Sequence, residues 1–99
     1  MAKGTLVRIA PDGEITEHRC EKSTGFEYPM MRDLVGGYIE RVKVRYNGVL
    51  RDCYVDEEGL IKRLEYNPAI TGMLDGAFKN YTGTIHGPGV IWVPDKKVK

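Results

Sequence analysis

At 99 residues the chain has room for one domain and a modest core, expected to span residues 1–99. Fifteen basic against fourteen acidic side chains leave a formal charge of +1, which excludes a global pull toward nucleic acid or an anionic membrane. The composition is 41% apolar, with no run near the ~18 residues of a membrane span, and reads as a globular chain outside the membrane.

Leu6, Val7 and Ile9 lead into Pro11-Asp12-Gly13, a strong turn signal, and Glu14 to Arg19 return as a second strand. The N-terminal Met1-Ala2-Lys3-Gly4-Thr5 lacks the apolar core of a secretory signal. The expected location is therefore the cytoplasm, with Cys20 and Cys53 as free thiols and no glycosylation meaning for Asn80-Tyr81-Thr82. Lys22-Ser23-Thr24-Gly25 is a polar connector. Phe26, Met30 and Leu34 then recur at helical spacing, with Met31 and Val35 beside that stripe. Pro29 suits a first helical position, and Gly36 suits the left-handed residue that closes a helix.

Asn47-Gly48 is the clearest structural signal, because both central residues of a tight hairpin turn need positive φ. Counting outward pairs Tyr46 with Val49, Val44 with Arg51, Lys43 with Asp52, Val42 with Cys53 and Arg41 with Tyr54. One face then carries Val42, Val44, Tyr46, Val49, Cys53 and Val55, with Arg51 as the exception. The other carries Arg41, Lys43, Arg45, Leu50, Asp52 and Tyr54. After an acidic turn at Asp56 to Gly59, Leu60, Ile61 and Leu64 form a short apolar segment. Asn67 and Pro68 open a second brief helix over Ala69 to Leu74, as N-cap and first residue. Residues 75–80 read as loop. Thr84-Ile85 and Val90 to Val93 read as strand segments interrupted by Gly87-Pro88-Gly89, and Lys96–Lys99 as a frayed tail. The expected fold class is α+β, a largely antiparallel sheet built from hairpins with two short helices.

Chemistry is sparse. His18, Cys20, Cys53 and His86 are enough in number for a tetrahedral zinc site, but they are not arranged as closely spaced pairs, so neither metal nor cofactor is expected. Asp56, Glu57 and Glu58 lack the regular oxygen spacing over about twelve residues of a calcium loop, and read as a turn in which Gly59 supplies the unusual dihedral. No hydrolase elbow, phosphate loop or zinc-protease motif is present, so no enzyme is expected; the alternative is a small enzyme using Cys20 or Cys53 with His86. The loop from Thr82 to Gly89 could approach a phosphate through its amides or act as a bulge that re-aims the last strand. The cations Arg41, Lys43 and Arg45 on alternate strand positions, with Tyr54 as a stacking ring, suit a phosphate or an acidic surface.

The blocks Leu34-Val35-Gly36-Gly37-Tyr38-Ile39-Glu40, Asp56-Glu57-Glu58-Gly59, Leu64 with Asn67-Pro68, and Gly83 with Gly87 resemble a small family of phage- and plasmid-borne proteins, a domain of unknown function. The likeness is loose from Leu6 to Val93 and strongest from Leu34 to Pro68; Ala69-Ile70 stand where many relatives carry a basic residue. The resemblance implies a non-enzymatic binding protein of the phage type, a counter-defence or host-takeover factor acting in the host cytoplasm. It would sequester a nucleotide-type signal or inhibit a host protein, with Arg41, Lys43, Arg45, Tyr54, Asn67, His86 and Gly87 as candidate ligand-binding residues. The alternative is a DNA-binding accessory protein, which the charge balance makes unlikely as a nucleic-acid partner. An exposed edge strand would favour a homo-oligomer.

Overall fold

The computed structural model describes residues 3–20, 28–76 and 83–95. The connector at 22–25, Phe26, most of the 75–80 loop, Thr82 and the tail 96–99 lie outside the described residues. Strand β1 (Gly4–Ile9) turns through Pro11-Asp12-Gly13 into β2 (Ile15–Cys20). The Asp12 carboxylate accepts the Glu14 N–H at 2.9 Å, the local bond for which Asp is favoured in turns. Strands β3 (Ile39–Tyr46) and β4 (Val49–Asp56) form the second hairpin, in the register counted from Asn47-Gly48. Asn47 and Gly48 take φ of 53° and 79°, the paired positive values that match the strand twist.

Strand β5 (Gly89–Pro94) is last in the chain and central in the sheet, whose order is β2-β1-β5-β4-β3 with every pairing antiparallel. Thr84-Ile85 are not part of it; His86 instead makes an isolated bridge to Tyr66.

Among the described residues two helices accompany the sheet, α1 (Tyr28–Val35) and α2 (Pro68–Met73). Alternate strand residues point to opposite faces, and two separate cores result. Met31 and Val35 of α1 pack with Leu6, Tyr54 and Val90. Ile70 of α2, with Leu74, packs on Val7, Ile9, Val42, Val44, Cys53, Val55 and Ile91. Within α1 it is Met31 and Val35 that are fully buried, while Met30 and Leu34 of the expected stripe sit at its margin. The helix closes at Gly36, with φ of 93°.

The expected α+β class is corrected by this arrangement. The described residues are dominated by one five-stranded antiparallel sheet, against helices of only 8 and 6 residues. Those helices are not segregated to one side, as in an α+β layering, but cover the sheet once on each face. The physical reason is that β1, β4 and β5 are apolar on both sides, so each face needs its own cover.

Asn67 ties the layers together. Its side-chain oxygen accepts the Ile70 N–H at 3.0 Å and so caps α2. Its amide nitrogen donates to the carbonyls of Ile9 and Gly87, both at 3.0 Å, and the side chain is fully buried. Asn67→Ala leaves one buried N–H and two carbonyls unsatisfied and is expected to lower the unfolding free energy by about 3 kcal/mol or more in urea titrations followed by circular dichroism. Asn67→Asp, which cannot donate to the two carbonyls, is expected to fail as a rescue.

Candidate functional site

Arg41, Lys43 and Arg45 stand in a row on one face of β3, an edge strand, on the same side as α1. That helix covers Ile39 and Tyr54 but leaves the rest of the row open. Lys43 is bound to its cross-strand partner Asp52. Arg45, 61% exposed, lies 3.7 Å from Asp75, while Arg41 has no ion pair among the described residues. Leu50 lies opposite Arg45 and is 45% exposed, so an apolar side chain borders the cations. Exposed pairs of this kind contribute under about 1 kcal/mol each and leave the row accessible. The segment after α2 runs along the outer edge of β3: Leu74 bridges Val44, and the Asp75 N–H donates to the Lys43 carbonyl at 2.9 Å.

The other expected ligand residues do not join this row. Tyr54 is only 8% exposed, held beneath α1 against Leu6 and Val90, so it cannot stack on a base. Burial, with the charge of Asp52 adding to it, pushes its phenol up. Asn67 is buried and fully bonded. The Nδ1 of His86 donates to the Leu64 carbonyl at 3.2 Å, which leaves Nε2 to accept the Thr84 hydroxyl at 3.1 Å. Gly87 gives its N–H to the Glu65 carbonyl at 2.7 Å, and the Ile85 N–H goes to the Thr71 hydroxyl at 2.9 Å. The amides of Ile85 and Gly87 are thus committed internally rather than offered to a phosphate. A hollow of about 490 Å³ on the outer side of α1, lined by Pro29, Arg32, Asp33, Gly36 and Gly37, contains none of the expected residues.

Neither thiol is placed for nucleophilic catalysis with His86. Cys53 is fully buried, and loss of solvation pushes its thiol up to about 12, so it is protonated at neutral pH. Cys20 pairs with Gly4 at one end of β1, whereas Gly89, close after His86, pairs with Ile9 at the other end, about 17 Å along the strand. Among the described residues no group of three or more His, Cys, Asp or Glu is arranged to hold a metal ion. No helix among them is long and apolar enough to cross a membrane.

A second surface went unrecognised in the sequence. From Asp56 to Leu64 the chain makes a single helical turn: the buried Asp56 carboxylate accepts the Glu58 N–H at 2.8 Å and the Lys62 ammonium at 2.6 Å. Leu64 N–H returns to the Gly59 carbonyl and Arg63 N–H to the Leu60 carbonyl, the bonding of a Schellman closure. Its left-handed position, normally glycine, is Arg63 at φ 59°. Gly59 does not supply the unusual dihedral expected of it; it is required because a Cβ there would lie 2.3 Å from the His86 carbonyl oxygen. At the apex Leu60 is 53% and Ile61 80% exposed. Two adjacent large apolar residues inside a charged turn were the available signal.

A family profile described as a domain of unknown function (DUF3846) matches residues 4–98, so the chain belongs to that family. No curated protein and no solved structure matches it.

Glu40 faces the α2 side of β3, and burial, followed by the charge of Glu57, pushes its carboxyl up. A raised folded-state value means that the stability given by the protonated form is complete below the unfolded value and is lost as pH rises through the folded one. Glu40→Gln is therefore expected to raise the melting temperature at pH 7. The difference from the parent chain should shrink as the pH is lowered through the carboxylate range, which thermal melts at several pH values would measure.

Proposed function

We propose that this DUF3846 member is a non-enzymatic factor of the phage type, serving counter-defence or host takeover in the host cytoplasm by covering a surface on a host protein. The observation that carries this reading is the bare face of the β3–β4 hairpin, where Arg41, Lys43 and Arg45 lie in line with Leu50 beside them. The face lies on an edge strand, apart from the hollow beside α1, which suits a protein contact rather than a small-molecule cleft. Its charge suits an acidic partner, with Leu50 supplying apolar contact.

Sequestration of a nucleotide signal is supported less well. It needs cations, a stacking ring and free backbone amides to converge. Tyr54 is instead under a helix, and Asn67, His86 and the amides of Ile85 and Gly87 are engaged within the chain. A DNA-binding role would have to rest on the same short row, two of whose three cations already face Asp52 and Asp75.

The test is affinity capture from host cells, with native mass spectrometry of what is retained. A host protein held by the parent chain and lost from the Arg41→Glu/Arg45→Glu variant, with at least about a tenfold loss of affinity once purified, is the expected result. Retention of a nucleotide in place of a protein, or capture indifferent to the two substitutions, would overturn the reading.

A further inference from the structure

We propose that the turn from Glu57 to Arg63 is the contact through which two copies of this chain pair about a two-fold axis. The turn has a polarity of its own. Glu57 and Glu58 lie at its start, Leu60 and Ile61 at its apex and Arg63 at its end, all of them exposed. A two-fold axis through the apex sets Leu60 and Ile61 against their own copies and brings the acidic start of each turn opposite Arg63 of the other. An isologous interface requires this kind of self-complementarity.

Three features of the isolated chain support that pairing. Lys62 is held by the buried Asp56 carboxylate, which leaves Arg63 as the outward cation, without an ion pair among the described residues. Arg63 also occupies a left-handed position that favours glycine, at a cost of about 1 kcal/mol to its own backbone. A side chain that strains its own turn and touches no charge nearby is accounted for by a carboxylate on a second molecule. Finally, Glu57 crowds Glu40 with like charge, which an incoming guanidinium would relieve.

The surroundings extend the apolar contact. Tyr38, 56% exposed, accepts the Glu57 N–H through its carbonyl at 2.9 Å. Tyr66, also exposed, bridges His86, whose carbonyl abuts Gly59. The turn itself is rigid, fixed by Asp56 and by its own backbone bonds, so little ordering is needed on association. An interface this small belongs to the weak, concentration-dependent class. Leu50 lies about 20 Å along β4 from Asp56, so the hairpin's apolar end stays clear of this contact.

Sedimentation equilibrium of the full chain from about 1 μM to about 1 mM tests the proposal. The parent chain is expected to pass from monomer to dimer, and Ile61→Asp and Arg63→Glu to stay monomeric with unchanged far-UV circular dichroism. Arg63→Gly should melt at a higher temperature yet dimerise at least about tenfold more weakly. The decisive experiment mixes Arg63→Glu with Glu57→Lys/Glu58→Lys: each variant is expected to be monomeric alone, and the two to pair when combined. A parent chain that is monomeric throughout, a dimer that tolerates Ile61→Asp, or two folded variants that do not pair on mixing would overturn it.

Discussion

One buried side chain decides how the parts of this protein meet. Asn67 reaches the end of β1, Gly87 two residues before β5, and the first turn of α2 through three hydrogen bonds at 3.0 Å. In the low dielectric of the interior each bond is strong and each alternative is expensive, because no water is at hand to satisfy a carbonyl left behind. The bonds fix where β5 enters the sheet, next to the end of β1, and therefore where the two hairpins lie relative to each other. Ile70, set in place by the same cap, then fills the core against Val42, Cys53 and Val55.

Residues of the glycine, acidic and Asn-Pro blocks singled out in the sequence serve architecture. At Gly37 a Cβ would lie 2.5 Å from the Lys62 ammonium and 2.7 Å from the Asp56 carboxylate, so a side chain there would displace that ion pair. Asp56 organises the turn that follows β4, and Asn67 organises the whole. Gly37, Asp56 and Lys62 meet at the end of the sheet where β3 begins and β4 ends. The exposed surfaces between these blocks are the cation row of β3 and the apex of the Leu60-Ile61 turn. Membership of a family of unknown function carries no binding role with it.

Local features were legible in the sequence. The hairpin register followed from Asn47-Gly48 residue by residue, and Asn67-Pro68 opened a helix as its types require. Non-local features were not. Tyr54 read as an outward ring because the alternation was taken to have one buried face. The run Cys53-Tyr54-Val55, like Leu6-Val7 and Val90-Ile91, is apolar on both parities, which is the mark of a strand covered on both sides. His86 and Gly87 looked available because glycine-rich loops can present amides; the bridge to Tyr66 that takes the Gly87 amide up is 20 residues distant in sequence. Strain at Arg63 has no sequence signature at all, since the positive φ arises from the closure around Gly59 and not from arginine's own preference.

The central place of β5 has a consequence for the order of events during synthesis. Residues 89–94 leave the ribosome after both hairpins, yet in the described sheet β1 and β4 each pair with them and not with each other. Until they arrive, the nascent chain holds two separate ribbons whose inner edges carry unsatisfied ladders, open to mispairing with each other or with neighbouring chains. Folding must wait for the last segment, and the contacts that then form span much of the chain, the slow regime for a domain of this size.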